Sequence, residues 1–348
     1  MNTSSSSSFS SAPPRVLSRI AVLATGGTIA GSAHDATRTA GYQAGVVGVA
    51  QLLAAVPALS TLANIHAEQV ASIDSKDMSL ALWTTLVQRV NALLATDAVD
   101  GIVITHGTDT LEETAYLLHL TVQSTKPVVL TAAMRPSTAL SADGPLNLLN
   151  AVSVAANRAA HGQGVLVAFN NRIHSARDVV KTSTFAVDAF HSPEVGALGW
   201  VQDERVEFLR GVLRPHTVST GLTIEPVAAD GWPMVEIVAS YAGATRLQVD
   251  ALVQAGVRGI VVAGTGNGSM HVSLQQALAD ALARGVAVVR ASRVGSGHVM
   301  HNGAAPDDAL GFVTANSLNP YKARVLLMLA LAAGHAGPAE LQRAFDLF

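Results

Sequence analysis

The strongest constraint on the fold of this chain is the alternation of short, wholly apolar runs with longer amphipathic ones. RIAVLAT (19–25), DGIVITHG (100–107), KPVVLTAA (126–133) and GVLVAFN (164–170) read as strands, with helical stretches over 79–94, 111–122 and 145–159 between them. Strands alternating with helices of this length form parallel βαβ units, and strands that are apolar throughout are covered on both faces. The rhythm is lost from about residue 200 to 232, where a segment richer in charge, Thr and Pro reads as a connector or an edge hairpin. It restarts with MVEIVAS (234–240), RGIVVAG (258–264) and VAVVRAS (287–293), with helices near 248–255 and 271–284, and closes with helices over 320–333 and 338–348. The expected architecture is therefore α/β in two domains: a larger one over 19–205, a connector over 206–231 and a smaller one over 232–348. No repeat of solenoid type interrupts this pattern.

Bulk properties exclude several classes. With 348 residues, 49% hydrophobic and 14% charged, the chain can bury a sizeable core. A net charge of −3 without a dense Lys/Arg run gives no sign of nucleic-acid binding. The longest strongly apolar stretch, 325–334, is about half of the ~20 residues a membrane-spanning helix needs, so it reads as a buried core helix. Cysteine is absent, and with it disulfide and thiol chemistry. The start, MNTSSSSSFSSAPPR, is serine-rich and has no apolar run after a basic segment. It reads as a disordered tail over 1–18 rather than a secretory signal, which makes the expected compartment the cytoplasm if no upstream segment exists.

In open parallel sheets ligands bind at the carboxyl ends of the strands. Two such ends share a pattern: the first strand runs into Thr25-Gly26-Gly27-Thr28, the second into Thr105-His106-Gly107-Thr108-Asp109-Thr110. Glycine permits tight turns and close backbone approach, and leaves N–H groups free to face a ligand. TGGTIAG fits neither the GxxxxGK[ST] nor the GxGxxG spacing, and Gly264-Thr265-Gly266-Asn267-Gly268 alone is more often a turn than a nucleotide site. A threonine hydroxyl is a poor nucleophile at neutral pH and needs a proton relay and donors for an oxyanion. Thr108, Asp109 and one of the few lysines can supply the relay. Lys181, in RDVVKTST, reads on its own as a surface salt bridge. The histidines show no metal-ligand spacing, His106 reads as a core hydrogen-bonding residue, and Asp143 in SADGP as a turn or cap residue.

Six collinear blocks go further: ATGGTIAG (24–31), THGTDTLEETAYLL (105–118), AAMRPSTALSADGPLN (132–147), RDVVKTST (177–184), GTGNG (264–268) and SLNPYKARVLL (317–327). Together they resemble the bacterial L-asparaginase family, in its type I/II amidohydrolase branch and closest to type II. The resemblance implies two α/β domains with a flavodoxin-like first domain, no cofactor or metal, and a homotetramer of intimate dimers. Each site would then combine the N-terminal domain of one subunit with the C-terminal domain of its partner. Residue by residue, Thr28 matches the nucleophile and Tyr42 the tyrosine that assists it. Thr108 and Asp109 match the second threonine and its aspartate, and Lys181 the lysine bonded to that threonine. Ser75 matches the serine that holds the substrate carboxylate. Gly107 lies in the same substrate-facing loop as Thr108, and the Ala133 region matches the loop that meets the amide.

Three positions depart from the family pattern. Lys76, expected with Ser75 among the substrate contacts, stands where many secreted members carry Gln or Glu. Ala304 stands where several secreted members place a glutamate from the partner against the substrate ammonium. Ser269, a further expected substrate contact, stands where some members have Asn, serine there being similar to members that also accept glutamine. Loss of one carboxylate near an ammonium weakens binding by about 1–3 kcal/mol. The expected function is L-asparaginase, with a mixed glutaminase-asparaginase as the alternative. A tRNA-dependent amidotransferase subunit is disfavoured because only about 20 low-complexity residues precede the TGGT block. A non-catalytic sensor is disfavoured because Thr28, Thr108, Asp109 and Lys181 are all present.

Overall fold

A computed structural model describes residues 16–348. The tail expected over 1–18 falls almost wholly outside the described residues, and the first strand begins at Ser18. The strands are β1 (Ser18–Gly26), β2 (Ala63–Ile73), β3 (Gly101–Thr105), β4 (Val128–Thr131), β5 (Val165–Phe169), β6 (Arg172–Ser175), β7 (Val180–Lys181), β8 (Phe190–His191), β9 (Gly199–Gln202), β10 (Arg205–Phe208), β11 (Val235–Ala239), β12 (Gly259–Gly264), β13 (Ala287–Ser292) and β14 (Val313–Thr314). The helices are α1 (Val49–Ala54), α2 (Leu59–Leu62), α3 (Leu80–Leu94), α4 (Leu111–Thr121), α5 (Gly144–Ala155), α6 (Glu225–Asp230), α7 (Leu247–Gln254), α8 (Val272–Leu282), α9 (Asp307–Leu310), α10 (Pro320–Ala332) and α11 (Pro338–Leu347).

The large sheet has the order β10-β9-β6-β5-β4-β3-β1-β2, and β2-β1-β3-β4-β5 are parallel throughout. This is the 2-1-3-4-5 order of flavodoxin-like sheets, whose direction of winding reverses between β1 and β3. β3, β4 and β5 are buried at every residue, as their unbroken apolar sequences require. The antiparallel hairpins after β5 extend the sheet to Phe208, and α6 ends at Asp230, so the expected connector carries structure of its own. The second sheet is parallel, in the order β11-β12-β13-β14.

β2 escapes the apolar-run reading for a physical reason. It lies at the sheet edge against β1 alone, and the exposed His66 and Gln69 and the half-buried Glu68 interrupt its apolar positions. α3 starts where the sequence places it because Ser79 Oγ accepts the Leu82 N–H at 3.2 Å, capping the first turn.

The two domains share one apolar core. Leu117, Leu118 and Leu120 of α4 belong to the same buried cluster as Leu326, Leu327 and Leu329 of α10. α10 is buried on nearly all sides, and it is the apolar stretch read as a core helix. Among the described residues no helix is long and apolar enough to cross a membrane.

Burial raises the carboxyl of Glu113, on α4, to about 7; Glu112 adds to the rise and Arg324 opposes it. A raised carboxyl favours the folded state while protonated, so this contribution is complete below the unfolded value near 4.5 and is lost as pH rises through about 7. Glu113→Gln is expected to be more stable than the parent at pH 8, by roughly 1–3 kcal/mol, with the advantage gone near pH 4. Urea unfolding at the two pH values measures it, and an equal effect at both contradicts it.

Candidate active site

The site lies at the point where the winding of the sheet reverses. Gly26 (φ 106°) and Gly27 (φ 80°) turn the chain out of β1 in a conformation that L side chains rarely adopt. A Cβ on Gly27 would stand 2.3 Å from Gly107 Cα, one on Gly26 2.4 Å from the Ile73 carbonyl oxygen, and one on Gly107 2.5 Å from Ser75 Oγ. The glycines of TGGT and HGT are thus where the ends of β1 and β2 and the loop after β3 meet backbone to backbone. This contact brings Thr28, Ser75 and Thr108, all buried, to one sheet edge.

Two hydroxyls are held there by different partners. Thr28 Oγ1 lies 2.6 Å from Tyr42 Oη. Lys181 Nζ donates to Thr108 Oγ1 at 2.8 Å and to Asp109 Oδ1 at 2.6 Å. The Tyr42 phenol is raised above its ordinary value chiefly by burial, with Asp74, Asp109 and Asp143 adding to the rise and the Thr28 hydrogen bond opposing it. It is therefore neutral at pH 7, able to accept one hydrogen bond while donating another and so to relay a proton as it gives up its own. Ser75 Oγ accepts the Asp109 N–H at 3.1 Å, which leaves the serine proton free to donate outward, and Thr110 Oγ1 donates to the Ser75 carbonyl at 2.8 Å.

Tyr42 arrives on a loop that is zipped at its base. Ser32 and Gln43 exchange main-chain hydrogen bonds of 2.9 and 3.0 Å, and Leu140 N–H donates to the Ala36 carbonyl at 2.8 Å. Gly41 is left-handed (φ 73°). Gly31 is extended (φ −90°), and its lack of a side chain matters for space: a Cβ there would lie 2.9 Å from Tyr42 Cδ2. Opposite, Ala133 is buried in the loop after β4, and Asp143 fixes that loop by accepting the N–H groups of Met134 and Arg135, each at 2.9 Å. Asp143 is the turn residue its sequence suggests. His106 is fully buried with Nδ1 2.7 Å from the Gly107 carbonyl oxygen, and burial lowers it to about 4, so it stays neutral and structural. Among the described residues no cluster of three or more His, Asp or Glu could hold a metal ion.

The remaining expected site residues lie apart from this group. Lys76 extends into solvent and pairs with Asp77 and Asp74 of its own turn. Its charge is thereby largely offset where the family pattern carries an uncharged or acidic residue. Ser269 bonds Thr265 through two main-chain contacts of 2.8 Å in the loop after β12, and Ala304 is exposed in the loop before α9. Among the described residues no hydrogen bond joins either to Thr28, Thr108 or Lys181. The fully buried Arg290 sets the shape of both loops. It grips Asp307 through two 2.6 Å bonds and donates to the carbonyls of Asn267, Gly268 and Met300. Sequence reasoning missed Glu112, which is buried and accepts the Lys181 N–H at 2.7 Å and Asn319 Nδ2 at 2.6 Å. An acidic residue in a first helical turn looks like ordinary dipole complementation. Only its position on a helix buried almost all round could have given it away.

The flavodoxin-like sheet brings one hydroxyl beside a neutral tyrosine and a second beside a lysine, both at the reversal point, and similarity to known proteins places a chain of this fold among the amidohydrolases. The chain matches the model of the asparaginase N-terminal domain over residues 19–214 and that of the glutaminase/asparaginase C-terminal domain over residues 234–345. It belongs to the asparaginase family. It is 47% identical over 332 residues to a probable periplasmic L-asparaginase of Haemophilus influenzae, covering 95% of this chain and 93% of that one. It is 45% identical over 330 residues to a glutaminase-asparaginase of Pseudomonas fluorescens, covering 94% and 90%. The crystal structure of a probable cytoplasmic L-asparaginase from Campylobacter jejuni superposes with a TM-score of 0.91 at 47% identity, covering 95% of this chain and all of that one.

Proposed function

We propose that this chain hydrolyses the side-chain amide of L-asparagine to L-aspartate and ammonia, with Thr28 as nucleophile. The observation that carries the reading is the pairing at one sheet edge of Thr28 with Tyr42 and of Thr108 with Lys181. Thr28 Oγ1 attacks the carboxamide carbon while its proton passes to Tyr42 and on to the amide nitrogen. The C–N bond breaks, ammonia leaves, and a β-aspartyl ester remains on Thr28. The oxyanion is met by the N–H of Thr108 and polar groups of the Ala133 loop. Thr108 Oγ1 takes one hydrogen bond from Lys181 Nζ, and its remaining lone pair accepts from the water that attacks the ester carbon. As the ester C–O bond breaks, the water's proton passes to Thr28 Oγ1 and aspartate leaves. Asp109 faces the substrate ammonium with the carboxylate oxygen not engaged by Lys181, and Ser75 donates to the α-carboxylate. The zipped 31–42 loop excludes bulk water.

Ser269 and Ala304 enter this reading through a second copy of the chain, as a homotetramer of dimers. We infer a cytoplasmic protein, as the Campylobacter jejuni neighbour is named, whereas the Haemophilus influenzae relative is named periplasmic.

A mixed glutaminase-asparaginase is the second reading, favoured by Ser269 and by the Pseudomonas fluorescens relative. One added methylene changes discrimination by about 1–3 kcal/mol in a pocket that fits it poorly. The expected result is Thr28-dependent ammonia release from asparagine, with kcat/KM for glutamine lower by roughly 10- to 200-fold. Release at equal efficiency moves the assignment to the mixed enzyme, and release from neither amide removes the asparaginase reading. Light scattering on the same sample should give an oligomer; a monomer would leave Ser269 and Ala304 outside the site.

A further inference from the structure

The block SLNPYKARVLL has no part in the chemistry above, yet its first turn reaches the strand that carries Lys181. Asn319 caps α10 by accepting the Lys322 N–H at 3.0 Å with Oδ1, and its Nδ2 donates to Glu112 Oε1 at 2.6 Å. The other carboxylate oxygen of Glu112 accepts the Lys181 main-chain N–H at 2.7 Å. Lys322, buried to 1% exposure, sends Nζ to the carbonyls of Arg177 and Val179 at 2.8 and 2.5 Å. β7 is only two residues long and pairs with the equally short β8, so its own ladder gives little rigidity. The main chain just before Lys181 is thus held at its carbonyls by Lys322 and at its N–H by Glu112. Both supports are anchored at the N-terminal turn of α10, in the other domain.

We propose that Glu112 and Asn319 are positioning residues for Lys181: they fix its main chain so that Nζ reaches Thr108 and Asp109 together. The C-terminal domain thereby contributes to the relay within the same subunit. The inference rests on the reading of Lys181 as a relay residue. A group displaced by about 1 Å can lose about a hundredfold in rate. Glu112 has both oxygens committed to donors, and a glutamine there can accept from only one of them.

The test measures kcat and KM for asparagine in Glu112→Gln, Asn319→Ser and Lys181→Met, and in Glu112→Gln combined with Lys181→Met. Asn319→Ser keeps an acceptor for the helix cap and removes the donor to Glu112. The expected result is a fall in kcat of about tenfold to a hundredfold for Glu112→Gln, and of about three- to tenfold for Asn319→Ser, with KM within threefold of the parent. In the Lys181→Met background Glu112→Gln should cost nothing further, because a residue that acts through Lys181 has nothing left to position. A kcat within twofold of the parent in both single variants overturns the inference, and so does an undiminished loss in the Lys181→Met background. If Glu112→Gln does not fold, the kcat of Asn319→Ser decides alone. Parent-like turnover by Lys181→Met would overturn the reading of Lys181 itself, and this inference with it.

Discussion

Thr28→Ala is expected to lose asparagine hydrolysis by about 10⁴-fold or more in kcat, while Thr108→Ala loses about 10²–10⁴-fold. The two threonines stand at the same sheet edge, and both are buried, so accessibility cannot distinguish them. Their partners can. Thr28 Oγ1 faces a neutral phenol at 2.6 Å, a group that can receive the hydroxyl proton in concert with giving its own to a leaving nitrogen. Thr108 Oγ1 accepts from Lys181, which withdraws electron density from that oxygen and suits it to orient a water more than to attack. Removing the nucleophile ends the covalent route, whereas removing the water-orienting hydroxyl slows a route that still exists. Thr28→Ala deletes only a small polar group, so its thermal midpoint should stay close to the parent's. Initial rates of ammonia release beside a melting curve check both parts. A larger loss in Thr108→Ala than in Thr28→Ala would exchange the two roles.

Asp307→Ala is expected to be the most damaging single change to stability outside the catalytic group, at about 3–5 kcal/mol. Arg290 and Asp307 are both fully buried and share two 2.6 Å bonds, and Asp307 also accepts the Asn302 N–H at 2.8 Å. Removing the carboxylate leaves a guanidinium with no countercharge in the interior, and the cost is mostly that unpaired charge. For a chain of this size the melting temperature should fall by on the order of 10 °C. The double replacement Arg290→Met with Asp307→Leu removes both charges and should lose much less than the single one. A double variant as unstable as Asp307→Ala would show that the pair matters for its other bonds. Because Arg290 also holds the Asn267 and Gly268 carbonyls, the loop carrying Ser269 should loosen in Asp307→Ala. KM should then rise more than kcat falls, if that loop reaches substrate.

Much of the fold was legible because fully covered strands must be apolar throughout: β1, β3, β4, β5, β12 and β13 all announce themselves as such runs. β2 and the short strands from β6 to β8 did not, since an edge or antiparallel strand needs only part of its surface buried, while the β9–β10 hairpin begins the segment read as a connector or an edge hairpin. The glycines of TGGT and HGT were legible as strand-end turns, though what makes them necessary, the backbone contact between two loops about 80 residues apart, exists only in the folded chain. Lys181 meets Thr108 across 73 residues, and nothing in RDVVKTST by itself separates a relay lysine from a surface one. The relay role proposed for it rests on the family resemblance together with that contact. Glu112 and Asn319 lie 207 residues apart, and neither bears a local mark of its partner. Lys76, expected among the substrate contacts, pairs with the carboxylates of Asp74 and Asp77 in its own turn, a choice of rotamer no pattern encodes.

The most direct test of the account is mass spectrometry of the protein quenched in acid during turnover of asparagine, followed by digestion to locate any adduct. A β-aspartyl ester is expected on the peptide containing Thr28, absent from Thr28→Ala and from samples quenched without substrate. An adduct on the peptide containing Thr108, or the same adduct formed by Thr28→Ala, would contradict it.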